Sequence, residues 1–208
     1  RGYRHRRNQQ HLNLDGLPDI TKPGSYTFTQ ETLALHDATR DRTYPVDLYI
    51  PDQEAASPAS VSVVVISHGL GSQTSDFAFL AEHLASHGFF VALPEHIGSD
   101  KALQDAVLSG RASQFFYPEE FVDRPLDVTY LLDELEHRNQ SEWEGALNLQ
   151  QVGAIGHSFG GYTVLALGGA VADLNYLRSS CTLENFERFL NPALILTMSR
   201  IGTRKLLP

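Results

Sequence analysis

The chain has 208 residues, of which 42% are hydrophobic and 20% are charged. This composition excludes a disordered protein and fits one domain with a hydrophobic core. The formal net charge is −9, and the first ten residues carry four arginines and no acid. The rest of the chain is therefore strongly acidic, and a basic face of the kind that binds nucleic acid is not expected.

Membrane, disulfide and metal chemistry find little support in the sequence. Cys181 is the single cysteine, so no internal disulfide can form. No apolar run approaches the ~20 residues of a membrane-spanning helix. His83 and His87 are spaced like a helical metal pair, but no third ligand accompanies them, so we expect no metal and no cofactor. No signal-peptide pattern is present, but the chain begins at Arg1 and not at a methionine, so the compartment stays unassigned.

The first part of the chain predicts a short tail followed by strands. Residues 1–24 contain glycines and prolines typical of a tail and loop, and residues 25–208 are interpreted as a single α/β domain. Residues 26–35 and 43–50 alternate loosely between polar and apolar side chains, which favours a β-hairpin. Residues 61–66 form a nearly continuous β-branched run, which indicates a strand buried on both faces.

The remaining elements alternate between helices and strands. A helix over 76–87 presents Phe77, Leu80, Ala81 and Leu84 on one face. A buried strand over 89–93 follows.

An irregular segment over 95–120 comes next, and a second helix is expected to start at Pro125. A loop over 139–148 leads to a last strand over 151–155 and a helix over 162–167. This order predicts a mostly parallel sheet flanked by helices.

The most informative motif is G-x-S-x-G, formed by Gly156, Ser158 and Gly160. It lies between a predicted strand and a predicted helix, the context in which this pattern places a serine on a sharp, strained turn. Glycines on either side avoid collisions with the neighbouring backbone. The motif predicts that Ser158 is a nucleophile and that the N–H of Phe159 faces a developing oxyanion.

A second donor is expected in the loop that follows the strand over 61–66. His68 is followed by Gly69, Leu70 and Gly71, and the two glycines allow a tight turn. We expect the Leu70 N–H to complete an oxyanion hole with the Phe159 N–H.

Other polar residues near these strand ends have open roles. His68 could be a base, but a loop-stabilising role is favoured. Glu95 and His96 follow a strand end, so they either line the site or make local hydrogen bonds. Nucleotide binding is rejected because the glycines around Ser158 do not follow G-x-G-x-x-G.

Four segments of the chain together resemble a known family. They read Ser67-His68-Gly69-Leu70-Gly71, Leu84-Ala85-Ser86-His87-Gly88-Phe89-Phe90-Val91, Glu95-His96 and Gly156-His157-Ser158-Phe159-Gly160-Gly161. They look like the α/β-hydrolases of the platelet-activating-factor acetylhydrolase and predicted dienelactone hydrolase group, over residues 14–196. The resemblance implies the α/β-hydrolase fold, ester or lactone hydrolysis through an acyl-enzyme on Ser158, a small-molecule ester or lipid-like substrate, and no cofactor.

The catalytic triad of this fold is incomplete in the sequence. Its chain order is Ser, then Asp or Glu, then His, but all nine histidines precede Ser158. The later acids, Asp173, Glu184 and Glu187, are poorly placed. We therefore expect a domain that is incomplete at its C-terminal side and a 208-residue chain with little or no turnover. The alternative is a non-catalytic α/β-hydrolase-like binding protein.

Overall fold

The fold is described from a computed structural model, which covers residues 21–52, 59–114 and 117–171. Predictions about Cys181, Asp173, Glu184 and Glu187 lie outside these residues. The same holds for most of the predicted tail over 1–24.

The described chain forms five strands and four α-helices. In chain order they are β1 (Phe28–Asp37), β2 (Arg42–Pro51), β3 (Val61–Ser67), α1 (Ala78–Ser86), β4 (Phe90–Pro94), α2 (Lys101–Leu108), α3 (Glu120–Glu142), β5 (Leu147–Gly156) and α4 (Phe159–Leu167). A 3₁₀ turn at Thr74–Phe77 precedes α1.

The strands form one mixed sheet in the order β1-β2-β4-β3-β5. β1 and β2 pair as the predicted antiparallel hairpin, with Asp37 opposite Arg42. β2 is also antiparallel to β4, whereas β3 runs parallel to both β4 and β5. The parallel part of the sheet is therefore β4, β3 and β5. The pair β1–β2 is antiparallel because a short hairpin connection cannot join parallel strands.

The two faces of the sheet carry separate hydrophobic clusters, since successive side chains of a strand point to opposite faces. Val63 and Val65 of β3 pack on the face covered by α3, together with Leu131 and Leu135. Val64 and Ile66 pack on the other face, against Ala81 and Ala85 of α1. Helices on both sides bury β3, as its β-branched run predicts.

Helix α3 begins earlier than the sequence indicated. It starts at Glu120, so Pro125 lies inside the helix and not in its first turn. A proline has no N–H to donate to the carbonyl four residues earlier, which here is that of Phe121. The Tyr162 hydroxyl of α4 donates to that carbonyl instead, at 3.0 Å. The proline is tolerated because a neighbouring helix supplies the missing donor.

The predicted loop over 139–148 is also shorter than expected, because α3 continues to Glu142. The side chain of Asn139 accepts from the Leu147 N–H at 3.0 Å and donates to the Leu147 carbonyl at 3.1 Å. This amide therefore joins the end of α3 to the start of β5.

The segment predicted as irregular contains helix α2. The Asp100 side chain caps this helix by accepting from the Leu103 N–H at 2.9 Å. The helix was missed because it spans only eight residues and buries none of its side chains.

Candidate active site

The candidate site lies where the parallel strands end. β4, β3 and β5 run in the same direction, so the loops that follow them meet at one edge of the sheet. Ligands of open α/β sheets bind at this edge. The loop after β3 carries Leu70, the loop after β4 carries Glu95 and His96, and the turn after β5 carries Ser158.

Ser158 has an unusual backbone conformation. Its φ is 52° and its ψ is −113°, and it immediately precedes α4. Its side chain is exposed. A non-glycine residue with this conformation is strained, and such strain concentrates at functional sites.

The glycines around Ser158 allow close backbone contacts. A Cβ at Gly160 would overlap the Ser67 carbonyl at the end of β3, and a Cβ at Gly156 would overlap the Gly160 carbonyl. The His157 N–H also donates to the Ser67 carbonyl, at 3.2 Å. The turn therefore lies directly against the end of β3, and no larger residue fits at either glycine.

The loop that contains Leu70 approaches Ser158 closely. A Cβ placed on Gly69 would lie 3.5 Å from the Ser158 Cβ and 3.1 Å from the His157 Nδ1. Gly71 has φ of 72°, and its N–H donates to the Ser99 carbonyl at 2.9 Å. The structure thus brings the Gly69–Gly71 loop next to Ser158, with Phe159 as the first residue of α4.

His68 is buried, and both of its ring nitrogens bond to backbone groups. Nε2 accepts from the His96 N–H at 2.9 Å, so Nδ1 carries the proton and donates to the Gly69 carbonyl at 2.8 Å. Burial lowers the pKa of His68 to about 3. This neutral ring stabilises the loop, in line with the role that the sequence favoured.

A buried chain of hydrogen bonds lies beneath the site. His96 Nδ1 donates to an Asp127 carboxylate oxygen at 3.0 Å, and the Ser67 hydroxyl donates to His96 Nε2 at 2.9 Å. Burial lowers the pKa of His96 to about 4, although the bond to Asp127 opposes this shift. The bonding pattern is that of a Ser-His-Asp triad, but all three side chains are buried and cannot reach a solvent-borne substrate.

Asp127 also forms ion pairs with two arginines of the β1–β2 hairpin. Arg40 Nη1 lies 2.9 Å and Arg42 Nε 2.8 Å from the same carboxylate oxygen. Burial by itself would raise the pKa of Asp127, but the hydrogen bonds from His96 and Arg42 outweigh it, and the pKa is lowered. The carboxylate is therefore charged and anchors the hairpin to α3.

Arg124 and Glu120 complete this buried cluster. Arg124 donates to the His68 carbonyl and, from Nη1, to the Ser99 hydroxyl at 3.2 Å. Burial lowers its pKa to about 10, so it is still charged at neutral pH. Glu120 accepts from Arg42 and from Ser99, and burial raises its pKa to about 7.

Sequence reasoning missed Arg124, Asp127 and Glu120. The three residues lie on α3, and their partners lie on distant strands and loops, so no local spacing marks them. The one available signal was the position of His96 directly after a strand end.

Within residues 21–52, 59–114 and 117–171, no group of three or more His, Cys, Asp or Glu side chains could hold a metal ion. In particular, His83 and His87 have rings 4.7 Å apart, but they lack further ligands in this part of the chain. No helix in these ranges is both long and apolar enough to cross a membrane.

The architecture and this strand-end site define an α/β-hydrolase fold. A ferulic acid esterase from Streptomyces cinnamoneus superposes with a TM-score of 0.53 at 21% identity, covering 70% of this chain and 56% of that structure. At this identity the likeness concerns the fold.

The sequence comparisons agree with this fold. Residues 32–111 match the family of platelet-activating factor acetylhydrolase, isoform II. A platelet-activating factor acetylhydrolase from Cavia porcellus is 31% identical in an alignment of 133 positions that covers 50% of this chain and 30% of that protein. Over the matched residues the chain is similar to an acetylhydrolase family, and its fold is similar to that of an esterase. The chain spans about a third of the length of this relative, and the family match includes the Leu70 loop but ends before Ser158.

Proposed function

We propose that this protein is a carboxylic ester hydrolase in which Ser158 is the nucleophile. In this proposal the N–H groups of Leu70 and Phe159 form the oxyanion hole. The strained, exposed Ser158 backbone, with Gly69 of the neighbouring loop against it, is the observation that carries the proposal. A nucleophile elbow needs both features: a serine pushed out of a sharp strand-to-helix turn, and a second loop beside it.

In the proposed reaction, the Ser158 hydroxyl attacks the ester carbonyl carbon while a base removes its proton. Two N–H donors stabilise the tetrahedral oxyanion, and each such donor typically contributes about 2.7–4 kcal/mol. The intermediate expels the alcohol, which takes up the proton, and leaves an acyl-enzyme. Water then attacks the acyl-enzyme and releases the acid.

The base is the part of the mechanism that these 208 residues do not supply in the usual chain order. No histidine follows Ser158 in the sequence. His68 and His96 precede it, and each is buried with both ring nitrogens hydrogen-bonded. We propose that the 208-residue chain acylates slowly and turns over little, at a rate within the residual ~10³–10⁴-fold over water that remains without a complete triad.

The proposed substrate is a small ester or a lipid-like ester. The support is the acetylhydrolase family match, the acetylhydrolase of Cavia porcellus and the ferulic acid esterase fold, all of which are named for ester cleavage.

A fluorophosphonate reagent tests the nucleophile. The 208-residue protein is incubated with the reagent, and the modified peptide is identified by mass spectrometry. We expect one adduct on Ser158, no adduct in Ser158→Ala, and unchanged labelling in Ser75→Ala, a control that removes an exposed serine from the neighbouring 3₁₀ turn. Labelling that survives in Ser158→Ala would contradict the proposal, and a folded protein that is never labelled would contradict the expected slow acylation of Ser158.

Turnover of p-nitrophenyl acetate tests the missing base. We expect a single slow release of p-nitrophenol by the 208-residue chain, with no sustained steady state. Sustained hydrolysis that Ser158→Ala abolishes would show that one of the nine histidines before Ser158 acts as the base.

A further inference from the structure

We propose that Arg124 is a positioning residue that sets the distance between the two oxyanion donors. The inference rests on the proposed ester hydrolase. Leu70 and Phe159 lie on separate loops that follow β3 and β5, so something must hold these loops in register. Arg124 is a single side chain that contacts both loops.

The first contact is with the loop that follows β3. Arg124 Nη2 donates to the carbonyl of His68, two residues before Leu70, and lies 3.4 Å from the Ser67 hydroxyl oxygen. The His68 ring also donates to the carbonyl of the next residue, Gly69. Moving the guanidinium would therefore move the peptide that leads into Leu70.

The second contact is with the first residue of α4. The guanidinium carbon of Arg124 lies 4.6 Å from the centre of the Phe159 ring, a distance at which a cation and an aromatic face attract each other. The Phe121 ring packs edge-on against the same ring at 5.1 Å. Both contacts come from α3, and both fix the residue whose N–H is the second proposed donor.

The burial of Arg124 indicates that its contacts with the two loops do more than fill space. Its side chain is fully buried, and no carboxylate among the described residues lies within ion-pair distance of it. Its Nε also has no hydrogen-bond partner among those residues. A buried cation without a direct counter-ion is costly, whereas Arg40 and Arg42 in the same cluster pair directly with Asp127. What Arg124 gains in return is contact with the two loops that flank Ser158.

The test measures the kinetics of fluorophosphonate labelling in the 208-residue protein. It gives three separate quantities: the maximal labelling rate, the half-saturating concentration of the reagent and the fraction of protein labelled. In Arg124→Lys and Arg124→Met, we expect the maximal rate to fall about 10-fold to 100-fold, as small displacements of catalytic groups do. The half-saturating concentration and the labelled fraction are expected to stay unchanged. A purely structural defect would lower the labelled fraction instead.

Arg42→Lys is the matched control. Arg42 belongs to the same buried cluster and pairs with Asp127 and Glu120, but it contacts neither the His68 carbonyl nor the Phe159 ring. We expect its maximal labelling rate to stay within about twofold of the unaltered protein. A wild-type rate in both Arg124 variants, or an equal fall in Arg42→Lys, would overturn the proposal.

Phe159→Leu keeps the inference testable where the Arg124 variants do not fold. It removes the ring beneath the guanidinium and keeps the backbone N–H, and we expect the maximal rate to fall about threefold, in keeping with one cation–π contact. An unchanged rate would count against the proposal. The outcome for Ser158→Ala is read separately: if labelling survives there, the hydrolase proposal itself fails, whatever the Arg124 variants do.

Discussion

At the scale of single residues, Ser158 combines an exposed hydroxyl with a backbone conformation that few residues adopt. Its φ of 52° with ψ of −113° is accessible to glycine at little cost, whereas in other residues such conformations cost about 1–3 kcal/mol. The Gly156 and Gly160 contacts on either side hold the turn in this state.

This strain gives a prediction that does not depend on activity. Ser158→Ala and Ser158→Gly both remove the hydroxyl, but only glycine relieves the backbone. We expect Ser158→Gly to be more stable to thermal unfolding than Ser158→Ala. Glycine also lowers the stability by about 0.4–1 kcal/mol, because it increases the conformational entropy of the unfolded chain; the relief of strain is expected to be larger. Equal or reversed melting temperatures would show that the turn is not strained.

The residues that could be predicted from the sequence are those whose roles depend on local backbone geometry. Gly156 and Gly160 are needed because a Cβ at either position would overlap a backbone carbonyl, and the motif spacing reveals this. Arg124 and Asp127 act through partners up to 87 residues away. Nothing in the sequence around them distinguishes them from the exposed charges of an ordinary amphipathic helix.

At the scale of elements, α3 and α4 are joined through the proline of α3. Pro125 cannot donate to the Phe121 carbonyl, and the Tyr162 hydroxyl occupies that position at 3.0 Å. The aromatic rings of Phe121 and Tyr162 also pack edge-to-face at 4.7 Å. The helix that follows Ser158 is thus fixed to the helix that carries Arg124.

We predict that the Tyr162 hydroxyl and Pro125 are energetically coupled. Tyr162→Phe should lower the free energy of unfolding by about 1 kcal/mol, the usual contribution of one hydrogen bond. Pro125→Ala restores a backbone N–H that can bond to the Phe121 carbonyl, so the same tyrosine change should cost less in that background. Chemical denaturation of the two single variants and the double variant measures the coupling. Additive losses would contradict it.

The elements were predicted where hydrophobic periodicity is strong. β3, α1, β4 and the hairpin lie close to their predicted positions, because each buries a face. The start of α3 was misplaced because a proline usually marks the first turn of a helix, and the donor that offsets it comes from α4, about 40 residues later. α2 has no buried face to reveal it.

At the scale of the whole molecule, the buried titratable groups have opposite effects on the free energy of unfolding as the pH falls. Burial lowers the pKa of His96 to about 4 and that of His68 to about 3. The unfolded chain therefore binds protons that the folded chain excludes, and stability present above pH ~6.5 is lost as the pH falls. Burial raises the pKa of Glu120 to about 7, so this group contributes stability at low pH that is lost as the pH rises towards 7.

We predict that Glu120→Gln makes the protein more sensitive to acid. Between pH 6.5 and pH 4.5 the two histidines lower the stability while Glu120 raises it, and glutamine removes the opposing contribution. Melting temperatures of the variant should fall more steeply over this window than those of the unaltered protein. Parallel curves would show that Glu120 does not take up a proton there.

The overall fold class followed from the alternation of strands and helices, and the hairpin was predicted, but the antiparallel pairing of β2 with β4 was not. An antiparallel pairing of β2 with β4 leaves no mark in the sequence of either strand. The buried cluster around Asp127 depends on that pairing, since it brings the hairpin arginines to the α3 side of the sheet. Long-range pairing of this kind is a property of the assembled molecule.

The ion pairs of Asp127 can form only late in synthesis, after the ribosome has made α3. Arg42 and Asp127 are 85 residues apart in the chain. At roughly 5–20 residues per second, a ribosome needs roughly 4–17 seconds to cover that interval. During this time the arginines of the finished hairpin have no carboxylate from α3 and must stay hydrated. Ser158 follows later still, so its turn closes onto a β3 end whose supporting helix has already been made.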